Sequence, residues 1–313
     1  PFGATFTWYL KEPPKTRKEA RVEAEKKAIG EKRDIAYPNL ETLRRELEEE
    51  AAVLALSILD DQGSIVRRLE AKPAKGMQRL TWDLRYPAAD PAAKTVVAAQ
   101  FVPPPQGPLA APGRYRARLE QVVGGTAKLL GESDFELEVL ANTTLPAKDR
   151  AAVAAWQQKT ARLQRAVLGA ERLVGELEER LALLRIAADA PLAAGVEPGT
   201  AAGLDARLRA LELELEKIGI ALSGDGFLRA RNEADLPSIS ERVQNVVYSS
   251  WTSTAEPTRT QRDAYDIAGE AFGRELARLR SFVEVDLAAV ESELERAGAP
   301  WTPGRLPVWQ LEK

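Results

Sequence analysis

The sequence predicts an α+β protein of two domains: an immunoglobulin- or fibronectin-III-like β-sandwich carrying a charged helical insert, then an antiparallel bundle of long helices. Three observations predict it. Short runs of alternating apolar residues, broken by Gly, Pro and Asp turns, fill the stretch from Val53 to Leu140. Beyond Thr144 the apolar period lengthens to that of a helix and recurs as far as Leu294, broken by a loop at 188–199 and again from Ser223 to Pro237. The length of 313 residues suits two domains of ordinary size. We place the sandwich at 1–142 with its insert at about 15–50, the bundle at 143–298, and an extended Trp/Pro tail at 299–313.

The elements follow in order. Thr5 to Leu10 is aromatic and β-branched and predicts a strand that Pro13 and Pro14 stop. Residues 15–33 are dense in Lys, Arg and Glu, as in a solvated helix without a wide apolar stripe. A second short helix is expected from Pro38 to Glu49, with Pro38 in its first turn. Val53–Leu59 and Ser64–Leu69 form a hairpin about Asp60-Asp61-Gln62-Gly63. Met77–Leu84 puts Gln78, Leu80, Trp82 and Leu84 on one face. Thr95–Val102, Arg114–Val122, Thr126–Leu130 and Phe135–Leu140 complete a set of seven or eight strands.

The first long helix is expected from Thr144, with Pro146 in its first turn, to about Ala187. Its stripe is Val153, Trp156, Thr160, Leu163, Val167, Ala170, Val174, Leu177, Leu181 and Leu184. Leu204 to Leu222 repeats the stripe. Ser238 with Glu241, and Thr258 with Gln261, are capping boxes that open a third and a fourth helix. The fourth carries Tyr265, Ala268, Phe272, Leu276, Leu279, Val283, Leu287, Val290 and Leu294, and Gly298 ends it.

Composition narrows the chemistry. The 44 basic and 47 acidic residues leave a net charge of −3, without the basic excess of a nucleic-acid or membrane-surface protein. Cysteine and histidine are both absent, which removes disulfides, thiolate nucleophiles, imidazole bases and the His and Cys ligands of zinc sites. No run of apolar residues is long enough for a membrane span. The chain opens at Pro1 inside a strand-like segment, so we expect a fragment or processed product whose targeting sequence lies upstream.

No motif reads as a catalytic, cofactor or metal site. Asp60-Asp61-Gln62-Gly63 lacks the alternating acids and distant Glu of a calcium loop. Ser223-Gly224-Asp225-Gly226 resembles the Asp-box turn of propeller repeats, but its glycine follows the aspartate directly and no Thr-Trp follows. Alternating acids such as Glu212, Glu214 and Glu216, or Glu291, Glu293 and Glu295, read as solvated helix faces. Two places are candidates for interaction. One is the loop with Arg229, Arg231, Asn232, Glu233 and Asp235, where capping and ion pairing compete with a binding role. The other is the tail, where Trp301 and Trp309 either pack back on the chain or dock on a partner. A third idea makes Trp8, Tyr9, Trp82, Tyr86 and Tyr115 an aromatic platform for a sugar or peptide.

Several segments resemble one family. Pro1-Phe2-Gly3-Ala4-x-Phe6-Thr7-x-Tyr9-Leu10 resembles a segment that follows the propellers of bacterial sortilin-like, BNR (Asp-box) repeat proteins, often labelled glycosyl hydrolases. Ile58-x-Asp60-x-x-Gly63-x-x-Val66-Arg67-x-Leu69, Trp82-Asp83-Leu84-Arg85-Tyr86 and Ala111-Pro112-Gly113-x-Tyr115 are similar to the Ig-like module of flagellar hook-cap FlgD type found in them. Trp156-Gln157-Gln158-Lys159, Arg229-x-Arg231-Asn232-Glu233 and Gly298-Ala299-Pro300-Trp301-Thr302-Pro303-Gly304 resemble their C-terminal region. The resemblance implies two upstream β-propellers, a secreted or periplasmic location, and any hydrolase-like site within the propellers. The chain itself is then a non-catalytic module that needs no cofactor and has the propellers or another subunit as partner. It carries no catalytic residue over to this chain.

Overall fold

The computed structural model describes residues 2–93, 104–140, 147–190, 200–251 and 253–311. They form helices, two small antiparallel sheets and a long helical region. By packing, the chain falls into two compact units, Pro1–Pro87 with Gln106–Thr144 and Ala88–Pro105 with Leu145–Lys313.

The first unit holds six strands among the described residues: β1 (Ala4–Leu10), β2 (Val53–Leu59), β3 (Ile65–Ala71), β4 (Gly76–Trp82), β5 (Gly113–Val123) and β6 (Thr126–Leu137). β1 and β4 pair as a ribbon, and the other sheet has the order β3-β2-β5-β6. Apolar residues of both sheets share one core, with Leu56 and Ile58 of β2, Val66 of β3, Trp82 of β4 and Tyr115 and Ala117 of β5. Trp82 is fully buried, meets Tyr115 and Phe135 edge-on, and donates its indole N–H to the Arg85 carbonyl at 2.9 Å. The Tyr115 hydroxyl donates to the Ala111 carbonyl at 2.6 Å. Burial pushes that phenol up to about 12.

The Asp60 turn is a hairpin turn. The Asp60 carboxylate accepts from the N–H of Gln62 and Ser64, and Gly63 takes a φ of +79°. Expected Thr126–Leu130 and Phe135–Leu140 are instead one strand. Leu130 is an extra residue in the β5–β6 register beside Gly131, so the chain bulges where the first of the two strands was expected to end. Arg116 opposite Asp134 and Arg118 opposite Glu132 then carry the pairing through. The strand expected at Thr95–Val102 lies outside the described residues.

The insert forms α1 (Arg17–Gly30) and α2 (Leu40–Glu48). Thr16 and Glu19 make a capping box for α1. α2 starts at Leu40 and not in a turn that holds Pro38, because the Asn39 side chain caps it by accepting from the Thr42 N–H and Pro38 precedes the cap. Neither helix buries a residue. What joins them is charge: Arg21 reaches both oxygens of Glu46, at 2.6 and 2.8 Å, and Glu25 of its own helix.

The second unit contains α3 (Arg150–Asp189), α4 (Thr200–Ser223), α5 (Gly226–Ala230), α6 (Ile239–Trp251) and α7 (Arg259–Ser281). A π-helical turn, Phe282–Leu287, then leads directly into α8 (Ala288–Arg296). At 40 residues α3 is about 60 Å long. Asp149 caps it, and the expected start at Thr144 and Pro146 lies outside the described residues. α4 packs on the C-terminal half of α3, where Arg185 pairs with Glu212. α6 packs on the N-terminal half, where Gln157 bonds the Ser250 carbonyl. One apolar cluster runs through the unit from Val167 to Ala299.

Two expected stripes shift. On α3, Gln157 and Gln164 are buried while Trp156 and Leu163 sit half-exposed, so one end of the bundle has a polar layer with Thr160. Trp156 meets Tyr265 at a tilt of 57° with the Lys159 ammonium 4.2 Å above the tyrosine ring, which holds the indole at the margin. On the last helix, Phe282 is 1% exposed where Val283 was expected inside, and Leu276 is 36% exposed. The step from Phe282 to Leu287 is five residues, and the π turn absorbs it. α5 was not expected at all. Asp225 nucleates it by accepting from the N–H of Phe227 and Leu228.

The acidic helix faces are not simply solvated. Glu212 pairs with Arg185, Glu214 with Arg278, Glu291 with Arg180, Glu293 with Arg207 and Glu295 with Arg305. Each joins the helix to another segment of the unit, an arrangement that periodicity does not reveal. Among the described residues no helix is long and apolar enough to cross a membrane, and no acidic cluster could hold a metal ion.

Candidate interaction site

The tail begins where α8 stops. Gly298 takes a φ of +67°, and the Ala299 N–H returns to the Leu294 carbonyl, so the helix closes in a left-handed cap. Pro300 then prevents resumption. The chain turns through Thr302 and Gly304, and Arg305 points back under the turn with only 3% of its side chain exposed. Its guanidinium donates to the Pro300 carbonyl at 2.8 Å, the Ala299 carbonyl at 3.3 Å and the Glu295 carboxylate at 3.1 Å. These bonds satisfy two carbonyls of the turn that follows the helix.

The other Glu295 oxygen accepts from the Val308 N–H at 3.3 Å. Arg305, with help from that N–H, holds the Glu295 carboxyl below the usual carboxylate range. Gly304 takes a φ of +94°, and a β-carbon there would meet the Arg180 guanidinium. Arg180 is itself held 2.5 Å from Glu291. The tail is therefore clasped to α8 through Arg305 and lies against the Arg180 guanidinium of α3.

Trp301 belongs to the clasp. Its indole N–H donates to the Arg305 carbonyl at 2.7 Å, while 59% of the residue remains exposed. Beyond the clasp the side chains turn outward: Leu306, Val308, Trp309 and Leu311 are each more than 70% exposed. Trp309 does not pack back on the bundle, being 78% exposed.

Arg229 and Arg231 stand apart from this tail. Arg229 donates to the Ser223 carbonyl at 2.9 Å and lies 3.4 Å from Glu241. The Arg231 guanidinium lies 3.4 Å above the Phe227 ring and donates to the Phe227 carbonyl. Arg229 thus ties the end of α4 to Glu241 of α6, while Arg231 braces α5. Ser223 fixes the loop against α3 at Glu171, whereas the clasp meets α3 at Arg180, roughly 13 Å further along the helix axis. The four candidate residues do not form one site.

Arg305 and Arg180 were not singled out from sequence, and Glu295 was read only as part of a solvated acidic face. Pro303-Gly304 marks a turn, but nothing local says which carboxylate the next arginine will reach. The aromatic platform is dispersed: Trp82 and Tyr115 are in the core, Trp8 and Tyr86 are half-buried, and Tyr9 is exposed at 64%. No family model, curated protein or solved structure matches the chain.

Proposed function

We propose that this chain is a non-catalytic structural and interaction module, with its carboxyl-terminal tail as the docking element. The observation that carries this reading is the contrast within the tail. A buried Arg305, bonded through each of its three guanidinium nitrogens, fixes the turn, and directly after it four apolar side chains are presented to solvent. A tail with no partner gains nothing from presenting Trp309 and Leu311, whereas a pre-ordered segment loses little entropy on docking.

The sheet unit is read as an Ig-like sandwich. A buried Trp82 against the other sheet, and a Tyr115 hydroxyl bonded to a carbonyl four residues upstream, support it. The two units are read as two domains. On the resemblance noted above, the parent protein is an exported, sortilin-like β-propeller protein, and the tail docks on the propellers or on another subunit. Any glycosyl-hydrolase-like chemistry would then belong to the propellers.

The test is calorimetric titration of the separately expressed upstream region with this chain and with a form truncated after Arg305. Binding that needs residues 306–311 supports the reading. Equal binding by both forms, or no binding, rejects the tail. Glycosidase activity in the chain alone would overturn the non-catalytic reading.

A further inference from the structure

The α1–α2 arm is built inside out. An ordinary helical hairpin turns its leucines inward and its charges to solvent. Here the pairing of Arg21 with Glu46, and of Arg17 with Glu49, commits the acidic face of α2 to α1. Leu40 and Leu47, on the opposite face, are left 82% and 87% exposed, and Tyr37 just before the helix is 85% exposed. Leu43, at the border between the faces, is half-buried. Helices of 14 and 9 residues that bury no apolar side chain, only the ion-paired Glu46 carboxylate, are marginal in water.

We infer that the leucine face of α2 pairs with the same face of a second copy of this chain, antiparallel and about a two-fold axis. The face is self-complementary, as an isologous interface requires. With the helices antiparallel and the axis between Leu43 and Arg44, Leu40 of each copy meets Leu47 of the other. The two Leu43 side chains then meet on one side of the axis. On the other side the two Arg44 side chains meet, each within one helical turn of Glu41 of the second copy, a carboxylate that Arg45 of its own helix also pairs. Arg44 has no ion pair or hydrogen bond among the described residues, so its charge is free for that contact. A lipid surface fits less well, because Glu41, Glu46, Glu48, Glu49 and Glu50 crowd one short segment. Tyr37, Leu40 and Leu47 offer roughly 400–500 Å² per copy, against about 800 Å² per partner in a standard interface, so the dimer is weak and depends on concentration.

Sedimentation equilibrium from about 10 μM to about 1 mM tests it. The weight-average mass should rise from the 34.2 kDa of one chain towards twice that value. Leu47→Glu, at an exposed position, should hold the chain monomeric with an unchanged circular dichroism spectrum. Arg44→Glu should raise the dissociation constant at least tenfold, and Glu41→Arg with Arg44→Glu should restore it by exchanging the charges. A monomer at every concentration would overturn the inference. So would a dimer indifferent to Leu47→Glu, or a failure of the charge exchange to restore pairing.

Discussion

Arg305 lies with its Nε 3.1 Å from the Glu295 carboxylate, folded under the turn that carries it. Removing either partner should free the tail. Arg305→Ala should make the chain cleavable between Trp301 and Val308 by a protease that leaves the parent form intact, with little change in helix content. Acid should act in the same direction. A carboxyl held below its ordinary range contributes stability above that range, about 4.3 for Glu, and loses it as pH falls further. Tail protection should therefore be flat at neutral pH and fall below about pH 4, and Glu295→Gln should abolish that dependence.

The core of the sheet unit rests on Trp82 and Tyr115. Trp82→Ala empties a fully buried site and should cost about 3–5 kcal/mol. Tyr115→Phe leaves the Ala111 carbonyl without its hydroxyl donor and should cost about 1 kcal/mol. Denaturant unfolding followed by near-ultraviolet circular dichroism reads both. The phenol should stay protonated through pH 10 and ionise near 12. Since the folded state holds this proton more tightly, stability should fall as pH rises above the ordinary tyrosine range of about 10.

The polar layer on α3 makes opposite predictions for two glutamines. Gln164 is buried with its carbonyl oxygen unpartnered, and its amide reaches the exposed Gln244 at only 3.4 Å. Gln164→Leu removes that buried acceptor and should raise stability by about 1 kcal/mol. Gln157 donates to the Ser250 carbonyl at 2.9 Å, and Gln157→Leu should lower it by about as much. Thermal unfolding of the two variants separates them by sign.

The π turn predicts where the last helix can be shortened. Deleting Val285, which is 60% exposed, brings Phe282 and Leu287 to four-residue spacing and turns Phe282–Leu287 into ordinary helix. That deletion should leave the chain folded, with a modest fall in the melting midpoint. Deleting Ala277 instead rotates everything beyond it by about 100° and should strip Leu279, Phe282 and Leu287 from the core. Equal tolerance of the two deletions would contradict this role for the π turn.

Much of the local structure is written in the chain. Period-two runs with Gly and Asp turns determine β2, β3 and β4, and the Ser238 and Thr258 capping boxes determine where α6 and α7 begin. These signals are local because backbone conformation, capping and turn chemistry act over a few residues. What the tertiary structure decided depends on partners far along the chain. The bulge at Leu130 joins β6 into one strand because β5 lies beside it. Gln157 and Gln164 enter the bundle because α6 offers polar groups there, and Phe282 displaces Val283 because a π turn resets the helix. The tail follows the same rule. Its tryptophans and its Pro-Gly turn are visible in sequence. That Arg305 is buried and Trp309 exposed was settled only when the guanidinium found Glu295 and the carbonyls of the turn after the helix.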